Sequence, residues 1–279
     1  MSDLKNRIAE AGWGRAFLKR QQPDGHWGRA FYQPKWTSSH YTLVDLRNLC
    51  IPATPEIKKA LALILATSIG PDGGINPSKD IEQSDVCING MFLNYGCYFG
   101  TDEEKLRSVV DFIISQQLAD GGFNCRLNRS GARHSSMHST ISVLEGIREY
   151  IAAGYAFRAE ELNRIEGEAQ EFLLRHRLFK SDHTGAVIHP SFLKLVYPPR
   201  WRYDILRALD YFQSVGYPYD ERLQDALDIL KEKRLSDGRW KTQAHHPGEV
   251  HFQMEQAGKP SRWSTLRCLR VLEYYDRDA

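Results

Sequence analysis

The sequence predicts an all-α fold assembled from repeated helical hairpins, and three observations carry that prediction. A four-residue pattern returns at a fixed step: Asp24-Gly25-His26-Trp27, Asp72-Gly73-Gly74-Ile75 and Asp120-Gly121-Gly122-Phe123 stand 48 residues apart, and Asp237-Gly238-Arg239-Trp240 is a fourth copy. Self-similarity at that period marks one supersecondary unit used repeatedly, each too small to bury its apolar face without a neighbour. Apolar residues recur at steps of three and four on both sides of the pattern, the period of an amphipathic helix. Alternating, strand-like runs are weak throughout.

Taken in order, each unit reads as helix, turn, loop, helix. Ile8, Trp13, Phe17 and Leu18 lead into Gln21-Gln22, and Val109, Phe112 and Ile113 lead into Gln116-Gln117, as first helices. The Asp that follows caps the turn, the Gly permits the backbone reversal, and the aromatic plugs the gap between adjacent first helices. Trp27, Phe123 and Trp240 are accordingly read as structural. A polar loop then opens a second apolar run: Tyr41 to Leu49, Cys87 to Tyr98, Thr140 to Tyr150, Tyr203 to Phe212 and Thr265 to Tyr274. Ser38-Ser39, Ser135-Ser136 and Ser261 supply caps for these second helices. One unit is degenerate, with Phe172 to Leu178 as first helix, Thr184-Gly185 in place of Asp-Gly, and Pro198-Pro199 before a fresh helix start. Five helix pairs result, in one domain spanning 1–279 with no stretch that reads as a linker.

Composition narrows the function. A net charge of +2, with Lys and Arg interspersed among Asp and Glu, provides no basic field for nucleic acid. The N-terminus lacks the apolar core of a signal peptide, and no segment is apolar for the length of a membrane span, so a cytoplasmic protein without a transmembrane segment is expected. Five cysteines at irregular spacing argue against a disulfide framework and leave thiols for metal or for core packing.

Aligning the second helices by their apolar steps puts His40, Asp85, His138, Arg202 and Trp263 at one equivalent position, near N-terminal ends that would share a mouth. Asp85 and Cys87 open one of these helices and His138 opens the next, 51 residues after Cys87. A carboxylate, a thiolate and an imidazole on adjacent helix starts suit zinc, and three protein ligands leave a fourth position for water or substrate. Cys125, and beside it His134, are candidates for a fourth ligand, and Cys125 would close the site into a structural one. The plainer alternative makes Asp85 an N-cap, Cys87 a small core residue and His138 a satisfied polar group. Arg202 and Arg262, at later helix starts, are candidates for holding an anionic group such as a diphosphate, unless they pair locally with Asp204, Glu249 or Glu255. Residues 241 to 260 lack a helical period and read as a functional or lid-like loop, in which His245 and His246 more often sit solvated than bind a second metal.

With Phe17-Leu18, Gln21, Asp24-Gly25-His26-Trp27 and Gln117, Asp120-Gly121-Gly122-Phe123 in view, the repeat resembles the QW, or prenyltransferase/squalene-cyclase, repeat. That resemblance implies an α/α toroid of inner and outer helices around an apolar funnel. The site pattern is most similar to protein prenyltransferase β subunits, whose zinc ligands are an Asp-x-Cys and a His on the following inner helix; the matching residues are Asp85, Cys87 and His138. In those enzymes zinc activates a substrate thiol for attack on an allylic diphosphate, and a helical partner subunit is required. The chain departs from the family in having five pairs rather than six. It also lacks the Asp-x-Asp-Asp of protonating triterpene cyclases and the Asp-Asp-x-x-Asp of diphosphate-ionising enzymes. The expectation is a zinc-binding toroid that brings a hydrophobic, isoprenoid-like ligand to a metal-activated nucleophile. Two alternatives are a non-catalytic binding toroid with structural or no zinc, and a cyclase-like or sugar-processing barrel using Asp85 as general acid.

Overall fold

The computed structural model describes residues 2–78, 81–126, 130–243 and 246–276. Among them the fold is all-α, as expected: α1 (Ser2–Glu10), α2 (Gly12–Leu18), α3 (Ser39–Asn48), α4 (Pro55–Thr67), α5 (Val86–Tyr98), α6 (Glu103–Ser115), α7 (Met137–Ala152), α8 (Ala159–Arg175), α9 (Ile205–Ser214), α10 (Gln224–Glu232) and α11 (Arg262–Tyr275). The strands described are two residues each, β1 (Trp240–Lys241) against β2 (Pro260–Ser261), paired antiparallel with Trp240 opposite Ser261. No described helix is long and apolar enough to cross a membrane. The chain divides into two compact units, the first of Met1–Glu166 with Pro247–Met254, the second of Gly167–His246 with Glu255–Ala279.

The Asp-Gly pattern forms the same turn each time. Gly25, Gly73, Gly121 and Gly238 have φ of +100°, +82°, +95° and +82°, a region closed to most side chains. The turn is locked by paired backbone bonds, such as Gly25 N–H to Gln22 O (2.9 Å) with Gln22 N–H to His26 O (2.7 Å), repeated at Gly238 and Leu235 (2.9 and 2.8 Å). The motif carboxylate does more than cap its own turn. Asp72 accepts from the Ser84 amide (2.6 Å) and hydroxyl (2.8 Å), and Asp120 accepts from the Ser135 amide (2.8 Å) and hydroxyl, which ties each turn to the start of the next second helix.

The fourth motif residue is buried in every copy: Trp27, Ile75, Phe123 and Trp240 are all fully buried. Its amide donates to a side chain of the second helix, Ser39 (3.0 Å), Asn89 (2.6 Å), Thr140 (3.0 Å) or Thr265 (3.0 Å). The indoles of Trp27 and Trp240 donate to the carbonyls of Phe17 and Leu230, each ten residues back and each at 2.7 Å. A buried indole N–H needs such a partner, so these bonds and the ring burial account for the structural role expected of the aromatics.

First and second helices differ in how they are solvated. α6 is amphipathic, burying Leu106, Val109, Val110, Phe112 and Ile113 while Glu103 and Glu104 occupy its first turn, where acidic groups favour the helix dipole. α5 is buried nearly all round, including Asn89, Gly90 and Gly96, as a helix enclosed by neighbours must be. In the first unit α3, α5 and α7 pack side by side. Arg47 near the end of α3 lies 5.5 Å from the Tyr98 ring at the end of α5 and pairs with Glu149 late in α7. The three helices therefore run parallel, with their N-terminal ends together.

The contact between α5 and α7 is set by glycine. A β-carbon on Gly90 would stand 2.5 Å from the Ser142 carbonyl oxygen and 2.7 Å from the Val143 Cα, and one on Gly146 would meet the Gly90 carbonyl. The two backbones touch, and Asn94 Nδ2 donates across the seam to Glu145 O at 2.8 Å. In the second unit α9 packs on α11, joined by Arg267 Nε donating to Asp210 at 3.0 Å.

The degenerate unit differs from expectation at its first helix. α8 spans Ala159–Arg175, well before Phe172, and stops there because Arg177 and Leu178 adopt φ of +43° and +65°. Periodicity located the end of this helix but not its length, since its earlier turns are rich in Glu and Arg.

Candidate functional site

The capping residues decide which side chains share a level on the second helices. Ser38, Asp85, Ser136, Asp204 and Ser261 are the N-caps, so the equivalent position two residues inside each helix holds His40, Cys87, His138, Leu206 and Trp263. This corrects the sequence register at two places. Asp85 is the cap itself, its carbonyl accepting from Ile88 N (3.0 Å) and Asn89 N (3.2 Å), and Cys87 stands level with the two histidines. Arg202 precedes its helix by two residues beyond the cap Asp204, whose carboxylate accepts from Arg207 N at 2.8 Å. Apolar periodicity aligns helix bodies but does not distinguish a cap from the first turn.

In the first unit the starts of α5 and α7 bring Cys87 and Cys125 together. Cys125 follows the third Asp-Gly turn, and its sulfur accepts from the Cys87 amide at 3.1 Å and from the Ser139 hydroxyl at 3.3 Å. The Cys125 amide donates back to Ser139 Oγ at 3.1 Å. The Cys87 thiol hydrogen-bonds to Cys125, which pushes Cys87 well up and Cys125 down from the usual thiol range. For this pair the first proton to leave comes from Cys125, because Cys87 and Ser139 donate to the anion that remains. Both cysteines are half-buried and neither forms a disulfide.

Asp85 is buried and close enough to add its charge to this pair, raising both thiols. Tyr32 completes the surroundings: its hydroxyl lies 3.0 Å from that of Tyr41, and burial first, then Cys87, Asp85 and Cys125, hold its phenol well above the ordinary value. Nothing in the sequence singled out Tyr32, which lies in a loop with no periodic signal. The Tyr32 ring packs at 5.5 Å on His40, and His40 Nδ1 lies 3.2 Å from Tyr95 Oη. His40 is fully buried, and desolvation pushes its pKa down to about 3, so it is neutral.

His138 is half-buried beside Ser139, with its carbonyl accepting from Ser142 Oγ at 3.0 Å. His134 is exposed, and its carbonyl accepts from Asn124 Nδ2 at 2.8 Å. Among the described residues no three of His, Cys, Asp and Glu are grouped as a metal ion would need. The sequence-predicted set is therefore brought together in part: Cys87 and Cys125 touch, Asp85 acts on both through its charge, and His138 starts the adjoining helix.

The two arginines belong to the second unit. Arg202 is half-buried over the Trp201 ring (4.9 Å) and its carbonyl accepts from Arg207 Nη1 at 2.9 Å. Arg262 is exposed, and its amide donates to Glu255 Oε1 at 2.9 Å; Glu255 also receives the Ser261 hydroxyl and caps α11. Glu255 thus answers the backbone of the helix start, a role that pairing arguments from sequence assign to side chains. Trp263 stacks on Tyr197 at 5.4 Å, 7° from parallel.

The described residues of the segment 241 to 260 are hydrogen-bonded at several points. In the second unit Thr242 Oγ1 accepts from Tyr197 N (3.1 Å) and Gln243 N–H reaches Leu195 O (2.9 Å). In the first unit Pro247 O accepts from the Trp36 indole (2.7 Å), and His251 Nε2 lies 2.9 Å from Thr42 Oγ1. His245 lies outside the described residues.

No family model matches this chain, and no curated protein matches it. Among solved structures it is similar to a polysaccharide lyase, at 14% identity over 85% of this chain and 71% of the lyase chain, with a TM-score of 0.48.

Proposed function

We propose that the first unit holds zinc through Cys87, Cys125 and His138, with Asp85 alongside, and that this centre serves a transferase-like reaction on a hydrophobic, isoprenoid-like substrate. The observation that carries the reading is the meeting of Cys87, at the start of α5, with Cys125 on the loop that precedes α7, with an amide and a hydroxyl aimed at one sulfur. The donor set is chemically right for zinc, since thiolate and imidazole are its preferred ligands. Electrostatics point the same way. The Asp85 charge raises both thiols and the Tyr32 phenol, and the two cysteines raise Tyr32 as well; a dication is what offsets such a concentration of negative charge.

Bound zinc would supply Lewis acidity that lowers the pKa of a coordinated thiol. The chain's own residues do the rest. Ser139 and the Cys87 amide hold charge on the Cys125 sulfur. Asp85, as the α5 cap, keeps a carboxylate within reach of a proton. The rings of Phe31, Tyr32, Tyr41 and Tyr95, packed around His40, form an apolar and quadrupolar wall of the kind that favours carbon-centred positive charge. The contact between Cys125 and Cys87 also favours a second reading, in which Asp85 is a fourth ligand and the closed site is structural.

Metal content decides the first step. Purified protein is expected to carry about one zinc per chain, lost in Cys87→Ser, Cys125→Ser and His138→Ala; unchanged metal in all three ends the proposal. Cobalt substitution then reads the coordination sphere. An Asp85→Asn variant with an unaltered cobalt–thiolate spectrum leaves the position open and catalytic, and a changed spectrum assigns Asp85 as ligand.

A further inference from the structure

Cys87 and Cys125 come from different repeats, yet the Cys125 sulfur lies 3.1 Å from the Cys87 backbone nitrogen. Joining them needs side-chain rotation rather than backbone travel, since an S–S bond spans about 2.05 Å and tolerates a broad range of Cα separations. The two cysteines are both half-buried but differ in the support given to their sulfurs. Cys125 sits on the loop between Asn124, half-buried, and exposed Arg126, so it can be approached from solvent. Its sulfur is the one that receives the Cys87 amide and the Ser139 hydroxyl, the donors that stabilise a sulfur anion. Cys87 lies in the first turn of α5, next to buried Val86, Ile88 and Asn89 in the chain, and among the described residues no donor comparable to those on Cys125 reaches its sulfur.

We infer that Cys87 and Cys125 form a thiol–disulfide redox couple whose partner substrate is a small disulfide of the glutathione class, with Cys125 attacking and Cys87 resolving. Cys125 as thiolate attacks one sulfur of the small disulfide, forming a mixed disulfide and expelling one thiolate. Cys87 then loses its proton and attacks the Cys125 sulfur, forming the internal bond and expelling the second thiolate. Two electrons pass from the protein dithiol to the small disulfide, which leaves as two thiols; the reverse sequence reduces the protein. The remaining cysteines are not so placed. Cys50 is exposed, and Cys97 and Cys268 are buried, so oxidant is expected to leave only a mixed disulfide on Cys50. Closure of the couple also removes both sulfurs from the donor set of the proposed zinc site. That consequence alone rests on the preceding proposal.

The test uses the full chain, treated with chelator and equilibrated in defined ratios of reduced to oxidised glutathione. The expected result, once glutathione carried on Cys50 is subtracted, is a loss of about two mass units with a cross-linked peptide pairing Cys87 with Cys125 under non-reducing digestion, reversed by excess reduced glutathione. Cys87→Ser is expected to stop at a mixed disulfide on Cys125, and Cys125→Ser to leave Cys87 unmodified. Free, alkylatable Cys87 and Cys125 at every ratio, or a wild-type end point with glutathione still on Cys125, overturns the inference. Zinc titration of the reduced and the oxidised chain is a separate arm. Binding at least about tenfold weaker after oxidation joins the two proposals. Absence of zinc binding in the reduced chain overturns the metal proposal and leaves the mass readout of the couple intact.

Discussion

The seam between α5 and α7 is the part of the structure on which the site depends most, and it can be opened by one methyl group. A β-carbon on Gly90 would lie 2.5 Å from Ser142 O and 2.7 Å from Val143 Cα. Ordinary contact begins at about 3.4 Å, and backbone atoms cannot rotate away as a side chain can, so the helices must part by roughly 0.9 Å in an interior packed without slack. Overpacking of this kind costs typically 1–3 kcal/mol, and the upper end applies because both obstructing atoms are main chain. Alanine returns about 0.5–1 kcal/mol by being a better helix former than glycine. Gly90→Ala is therefore expected to lose about 2 kcal/mol, and Gly146→Ala a similar amount against the Gly90 carbonyl. The double variant should lose less than the sum, because one displacement serves both methyl groups.

The matched control is Gly167→Ala in α8, where a β-carbon meets nothing within 4 Å; there the propensity term acts unopposed and about 0.5–1 kcal/mol of stabilisation is expected. Urea unfolding followed by circular dichroism gives all four values. Equal stability of Gly90→Ala and wild type refutes the claim that main-chain contact sets the distance between these helices.

Two further predictions concern pH and have opposite signs. His40 has a folded pKa of about 3 against a reference value of 6.5, so the stability it contributes is present above 6.5 and is lost as pH falls toward 3. Between pH 6.5 and 4 that amounts to about 3 kcal/mol, visible as a falling urea midpoint that is flatter in His40→Gln; equal slopes in the two proteins refute it. Asp204 is raised to about 6 from 3.8, mainly by burial, so the folded state favours its protonated form and stability is lost as pH rises from 3.8 through 6. The full loss is about 3 kcal/mol. Asp204→Asn keeps a competent N-cap and is expected to be more stable than wild type at pH 7.5 and no more stable at pH 4; destabilisation at pH 7.5 would show that the ionised carboxylate is worth more to Arg267 and Arg207 than its burial costs.

What the sequence determined by itself is whatever depends on neighbours along the chain. The positive φ at Gly25, Gly73, Gly121 and Gly238, the helix starts at Ser38, Ser136 and Ser261, of which Ser261 closes a side-chain cap while Ser38 and Ser136 make no such bond, and the helical runs between them are local preferences. They were legible because a turn or a helix is stabilised within a few residues of itself. The repeat raised this further, since four copies of the motif place their fourth residue in equivalent, fully buried positions. Of the site, the sequence picked out Asp85, Cys87 and His138 as residue types on neighbouring helix starts, with Cys125 on the loop between them.

Tertiary structure alone decided the rest. The level of Cys87 with His40 and His138 follows from where each helix is capped, and Asp72 and Asp120 reach 12 and 15 residues ahead to Ser84 and Ser135 to tie down those starts. The closeness of α5 and α7 follows from two glycines 56 residues apart, neither of which signals the other. Tyr32 enters the site from an aperiodic loop, and Glu255 caps a helix seven residues onward through its side chain. Each of these is a contact whose free energy exists only once the partner segment is in place, which is why no pattern of single residues announces it.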